Sequence, residues 1–186
     1  ERKNASVITP ELITCCVSRN IPGIKSIIEA HLESSDSSIL ASAAIGYAKI
    51  NSDKKKAKKI IDQILSSGDE NQIAKLIKYA KTSANIFSTS EINSFLKSGT
   101  YEIQNESLKI IALDPKIDHL DHVINFLGDP MLKRNAERTL LSYPQLISQK
   151  KLIDKLASED TSKTIVIGIL KILHHFNKEI AIKTII

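Results

Sequence analysis

Two histidines stand three residues apart in the run Asp118-His119-Leu120-Asp121-His122. On a helix that spacing puts both imidazoles on one face, and imidazoles flanked by carboxylates are ligand types that can hold a divalent metal. The sequence offers no third ligand at a fixed distance. The run therefore reads first as a polar opening turn facing solvent, with Asp118 and Asp121 favoured by the positive end of the helix dipole, and His119 and His122 remain as the metal candidates.

The other chemistry-bearing residues are weighed in the same way. His174 and His175 close an apolar segment, where cations meet the negative end of a helix dipole; one is expected to pack and one to be wet. Cys15 and Cys16 are adjacent, so on a helix they point about 100° apart and cannot bridge each other without strain. With no neighbouring base they read as buried thiols. The run KKKAKK at 54–59 opens a helix whose apolar face is Ala57, Ile60, Ile61, Ile64 and Leu65. Its lysines read as a solvated face, with phosphate or anionic lipid as the alternative, because cations at a helix start oppose the dipole. A Gly-rich phosphate loop, a nucleophile elbow and a Cys-x-x-Cys pair are all missing from the sequence. The expectation is a non-enzymatic chain that needs no cofactor.

Composition narrows the scaffold. The 186 residues are 42% hydrophobic and 25% charged but only 4% aromatic, with no Trp. The core must be aliphatic, and a stacking platform for single-stranded nucleic acid is disfavoured. A net charge of +5, from 26 Lys plus Arg against 21 Asp plus Glu, reads as a mild basic excess spread along the chain. It permits nucleic acid without favouring it. Two cysteines and no disulfide framework point to a reducing, cytoplasmic setting. The longest apolar run, 164–173, is broken by Lys171 and falls short of the roughly 20 residues of a membrane span, so no transmembrane segment is expected.

The elements that must position these residues are helices. Apolar residues recur at i, i+3, i+4, i+7 over 10–18, 22–32, 37–50, 52–65, 70–81, 90–96, 102–113, 117–127, 130–141, 144–157 and 162–176, with a last helix from about Lys178. Ser52, Asp69 and Asp160 are candidate caps, and Pro22, Pro130 and Pro144 suit first turns. A landmark then repeats: apolar, three residues, small, three residues, apolar. Its clearest instance is Leu132, Ala136, Leu140, and its middle positions 43, 77, 107, 136 and 168 are 34, 30, 29 and 32 residues apart. Ile77 departs from the rule of a small residue. Such a period is one helix pair with its turns.

The stretch DHLDHVINFLGDPMLKRNAERTLLSY at 118–143 resembles a HEAT repeat. Asp129, Pro130, Leu132, Lys133 and Ala136 stand where that family carries its turn and second-helix residues, after Val123, Ile124 and Leu127 on the first helix. Weaker echoes lie at Asp36 with Ile39 and Ala43, and at Asp160 with Gly168. The resemblance implies an all-α, α–α superhelix of HEAT or armadillo-like type with about five helix pairs, forming one domain over 1–186. Second helices would line a concave face, and there Asn105, Lys109, Lys133, Arg134, Glu137 and Arg138 are the expected partner contacts. A solenoid needs polar end caps, yet the chain closes on Ile180, Ile182, Ile185 and Ile186. It is therefore expected to be a piece of a longer protein, or to fold these residues back.

Three functions follow as expectations. The first is a scaffold module holding a protein segment or a neighbouring domain along that face. The second is a soluble regulatory HEAT-like domain of a larger membrane transporter or signalling protein. The third is duplex-DNA binding of the alkylpurine DNA glycosylase type, against which the lack of Trp and scarcity of Arg weigh.

Overall fold

A computed structural model describes residues 8–50, 54–81, 84–98 and 100–177. The protein is all-α: among the described residues there are eleven α-helices and three short 3-10 turns, and no strand. The chain divides between Ile86 and Phe87 into two compact units. Each unit has its own aliphatic core. Ser52, the last expected helix and the terminal isoleucines lie outside the described residues.

The first unit holds α1 (Pro10–Ser18), α2 (Ile24–Ala30), α3 (Ser37–Ile50), α4 (Lys54–Ser66) and α5 (Glu70–Ala80). α3 is its centre, packed against all four others. The cause is its run of small residues: Ala41 to Tyr47 are all buried, so neighbours approach the backbone itself. A Cβ added at Gly46 would stand 3.0 Å from Val17 Cγ2 and 3.1 Å from Ile28 Cδ1. Polar ties finish the layer. Lys75 Nζ of α5 donates to Ser37 Oγ at the start of α3 at 2.8 Å, and the Tyr79 hydroxyl reaches Glu11 of α1 at 3.4 Å. Burial and the Glu11 charge together push the Tyr79 phenol up from its usual range.

The second unit holds α6 (Thr89–Lys97), α7 (Tyr101–Ile111), α8 (Leu120–Asn125), α9 (Lys133–Ser142), α10 (Gln145–Leu156) and α11 (Lys163–Phe176). Odd helices pack on odd helices: α9 touches both α7 and α11. Even helices do the same, α8 against α10, and α6 meets the 3-10 turn Ile117–His119. Consecutive pairs are therefore stacked. Lys151 of α10 meets Asp121 of α8 at 3.1 Å, thirty residues away.

The repeat is written twice along the chain. The landmark residues fall on α3, α5, α7, α9 and α11, and all are inside: Ala43, Ile77 and Ala136 are 0% exposed, Ser107 is 1%, and Gly168 is buried. Ile77 fits as well as the alanines, so the landmark marks burial rather than small size. The second record is a Ser, Thr or Asp ahead of each odd helix, at Thr9, Asp36, Asp69, Thr100, Asp129 and Ser162. Four of the six side chains accept backbone N–H groups that open the helix, Leu12 on Thr9, Ser38 and Ile39 on Asp36, Gln72 on Asp69 and Ile165 on Ser162, while Asp129 accepts Met131 and Leu132 in the turn that leads into α9. Ser162 takes the place expected for Asp160. Thr100 makes no capping bond.

Three expected helices are shorter than their periodicity. α2 begins after Gly23, whose φ of 81° lies in the left-handed region, so Pro22 stays outside it. α9 begins at Lys133 because Asp129 first holds the turn through Met131 and Leu132. The helix expected over 117–127 is α8 between two 3-10 turns, Ile117–His119 and Phe126–Gly128. Tightening to i→i+3 bonding is the ordinary way that helix ends satisfy orphan groups.

Candidate functional site

α7 and α9 run parallel and side by side. The amide of Asn135 donates to Asn105 Oδ1, and Thr139 Oγ1 stands 3.0 Å from the Leu108 carbonyl oxygen; both pairs advance in the same direction along the two helices. Thr139 Oγ1 also lies 2.8 Å from its own helix carbonyl at Asn135. The buried hydroxyl thus always has an acceptor for its proton, as burial requires.

At about 100° per residue, the burial of Leu132, Ala136 and Leu140 fixes where the rest of α9 points. Asn135 and Thr139 occupy the flank towards α7. Lys133 and Glu137, both half-buried, occupy the opposite flank, and Arg134 and Arg138 stand outward and exposed. The six candidate residues therefore do different work. Asn105 is a joint between helices. Lys109 is paired within α7 to Glu106 Oε1 at 2.5 Å, with 40% of its side chain still exposed. Glu137 Oε1 is closed off from solvent with no hydrogen-bond partner among the described residues. Arg134 and Arg138 meet no carboxylate among the described residues.

His119 departs from the solvent-facing turn expected for it: it is 0% exposed. Its Nδ1 lies 2.8 Å from Asn93 Oδ1 on α6, so a neutral ring with the proton on Nδ1 donates there. Its Nε2 is buried with no partner among the described residues. Burial, seconded by Lys116, pulls its pKa below the usual imidazole value. His122 is half-buried on α8, and Asp121 turns to Lys151 instead. Among the described residues no group of three or more His, Cys, Asp or Glu side chains is arranged to hold a metal.

The remaining candidates disperse. Cys15 is exposed and Cys16 half-buried, against the expectation of buried thiols, because α1 spends its inward face on Ile13 and Val17. Both His174 and His175 are exposed at the end of α11, whose inward face is Gly168, Ile169, Ile172 and Leu173. Lys55, Lys56, Lys58 and Lys59 are exposed above buried Ala57, Ile61 and Ile64.

Two participants escaped the sequence. Asn135 is the partner of Asn105 thirty residues on, one residue off the register of Thr100 and Asp129, so the spacing of the helix starts does not announce the pair. Asn93 is the partner of His119 twenty-six residues on, and no local pattern announces it. Among the described residues no helix is long and apolar enough to cross a membrane. No family model, curated protein or solved structure matches the chain.

Proposed function

We propose that the chain is a non-enzymatic, HEAT-like interaction module whose odd helices in the second unit hold an acidic or amphipathic segment of a protein partner or neighbouring domain. The observation that carries this reading is the pair Arg134 and Arg138 on α9. They are exposed one turn apart, without a carboxylate among the described residues, on a helix fixed in register with α7. Guanidinium groups held by a rigid scaffold are suited to bidentate capture of carboxylates. Lys109 adds a cation on the neighbouring helix.

Selection of peptides displayed on phage tests the reading. The expected result is enrichment of segments with acidic residues at helical spacing, and loss of their binding in Lys133→Glu/Arg134→Glu/Arg138→Glu with helicity retained. Peptides that bind this variant as well as the parent, or a selection with no acidic bias, would remove the assignment.

A further inference from the structure

The basic excess is not spread along the chain as composition alone suggests. α4 carries Lys54, Lys55, Lys56, Lys58 and Lys59 against one acid, Asp62, a net +4 out of +5, which leaves +1 for all other residues. This concentration works against the helix that bears it. α4 has no acidic residue in its first turn, so its lysines meet the positive end of the dipole. Lys55 also repeats its charge at Lys58 and Lys59, and like charges three and four apart destabilise a helix. Lys58 reaches Asp62 at 2.9 Å with both side chains about half exposed, and Lys56 lies 5.4 Å from the Tyr47 ring centre.

The register cannot turn these charges inward, because Ala57, Ile61 and Ile64 commit the opposite face to the core. Lys55, Lys58 and Lys59, with Asp62, Gln63 and Ser66, border one shallow, open depression. Most of the net charge gathered on the exposed face of one helix marks a surface with a use. We propose that this face of α4 docks the protein onto an anionic lipid bilayer. Ammonium groups act there as additive point charges and need no bidentate geometry. With its apolar side spent in the core, α4 rests on headgroups without inserting, and attachment is reversible and salt-sensitive. A single-stranded nucleic acid would want exposed aromatics, whereas Tyr47 beneath the patch is 4% exposed. The inference stands apart from the α9 arginine face.

Co-sedimentation with lipid vesicles tests it. The protein should pellet with vesicles containing phosphatidylserine and not with phosphatidylcholine alone, and release as salt rises past about 0.1 M. Lys55→Gln/Lys58→Gln/Lys59→Gln should weaken binding roughly a hundredfold, about fivefold per lysine, with thermal stability unchanged or raised. Removing three exposed lysines elsewhere, Lys25→Gln/Lys97→Gln/Lys150→Gln, should retain most of the binding. Equal binding to both vesicle types, equal loss in both triple variants, or retention of duplex DNA without vesicle binding would overturn the proposal.

Discussion

Replacing Gly168 by alanine should destabilise the protein, although the same change in an ordinary helix stabilises it. An alanine in mid-helix is favoured over glycine by about 1 kcal/mol. At Gly168 the new Cβ would stand 2.9 Å from Leu127 Cβ and 3.3 Å from its Cγ and Cδ1. Leu127 is 0% exposed and its Cβ is fixed to the 3-10 turn Phe126–Gly128, so relief requires moving α11 away from that turn. Overpacking of this kind costs about 1–3 kcal/mol, and the absence of a flexible tip to yield places this site towards the upper end. The net expectation is a loss of about 1–2 kcal/mol in urea unfolding followed by circular dichroism. Gly46→Ala is the internal comparison: its Cβ would meet Ile28 Cδ1, a flexible tip, at 3.1 Å, and Val17 Cγ2 at 3.0 Å, so propensity and crowding nearly cancel. A stabilised Gly168→Ala, or a Gly46→Ala that loses more, would show that stacking of α11 on the preceding pair is looser than described.

Two further outcomes follow from the caps and from His119. Asp129→Ala should lower stability by about 1 kcal/mol, since it frees the amides of Met131 and Leu132 in the turn that leads into α9. Thr100→Ala should lower it far less, because Thr100 makes no capping bond and its hydroxyl is buried without a partner among the described residues; equal losses in urea titrations would contradict the assignment of caps. For His119 the folded pKa lies below the unfolded value. The unfolded chain therefore binds the extra proton first, and stability is fully present above about pH 6.5 and declines as pH falls through the folded pKa. Melting temperature should be flat above neutrality and fall on the acid side, with His119→Gln flattening that limb; an unchanged limb would assign the acid loss to other groups.

How much of this was legible depends on whether the signal was local. Helix starts and stops came through because caps and periodicity act within a few residues: α1 and α3 match their expected spans, and most other ends lie within two residues. α8 was overread because an apolar period does not distinguish α from 3-10 turns. His119 looked like part of a polar opening turn in its own segment, and only packing against α6 puts it inside. Cys15 shows the converse, a residue of a type usually buried that the i, i+4 pair Ile13 and Val17 turns outward. For the candidate face, helical periodicity puts Arg134 and Arg138 on one helix, together with Lys133 and Glu137. It could not separate them from Lys133 and Glu137, because which flank meets a neighbour is set by the stacking of α9 between α7 and α11.

The claim beneath the proposed partner face is the parallel register of α7 and α9, and proximity labelling reads it directly. With Cys15 and Cys16 replaced by serine, the pair Asn105→Cys/Asn135→Cys should be joined quickly and within one chain by a short bifunctional maleimide, as their contact across the joint requires. The pair Asn105→Cys/Ser142→Cys, two turns further along α9, should react far more slowly. Equal rates for the two pairs, or faster joining to position 142, would contradict the register and the surface built on it.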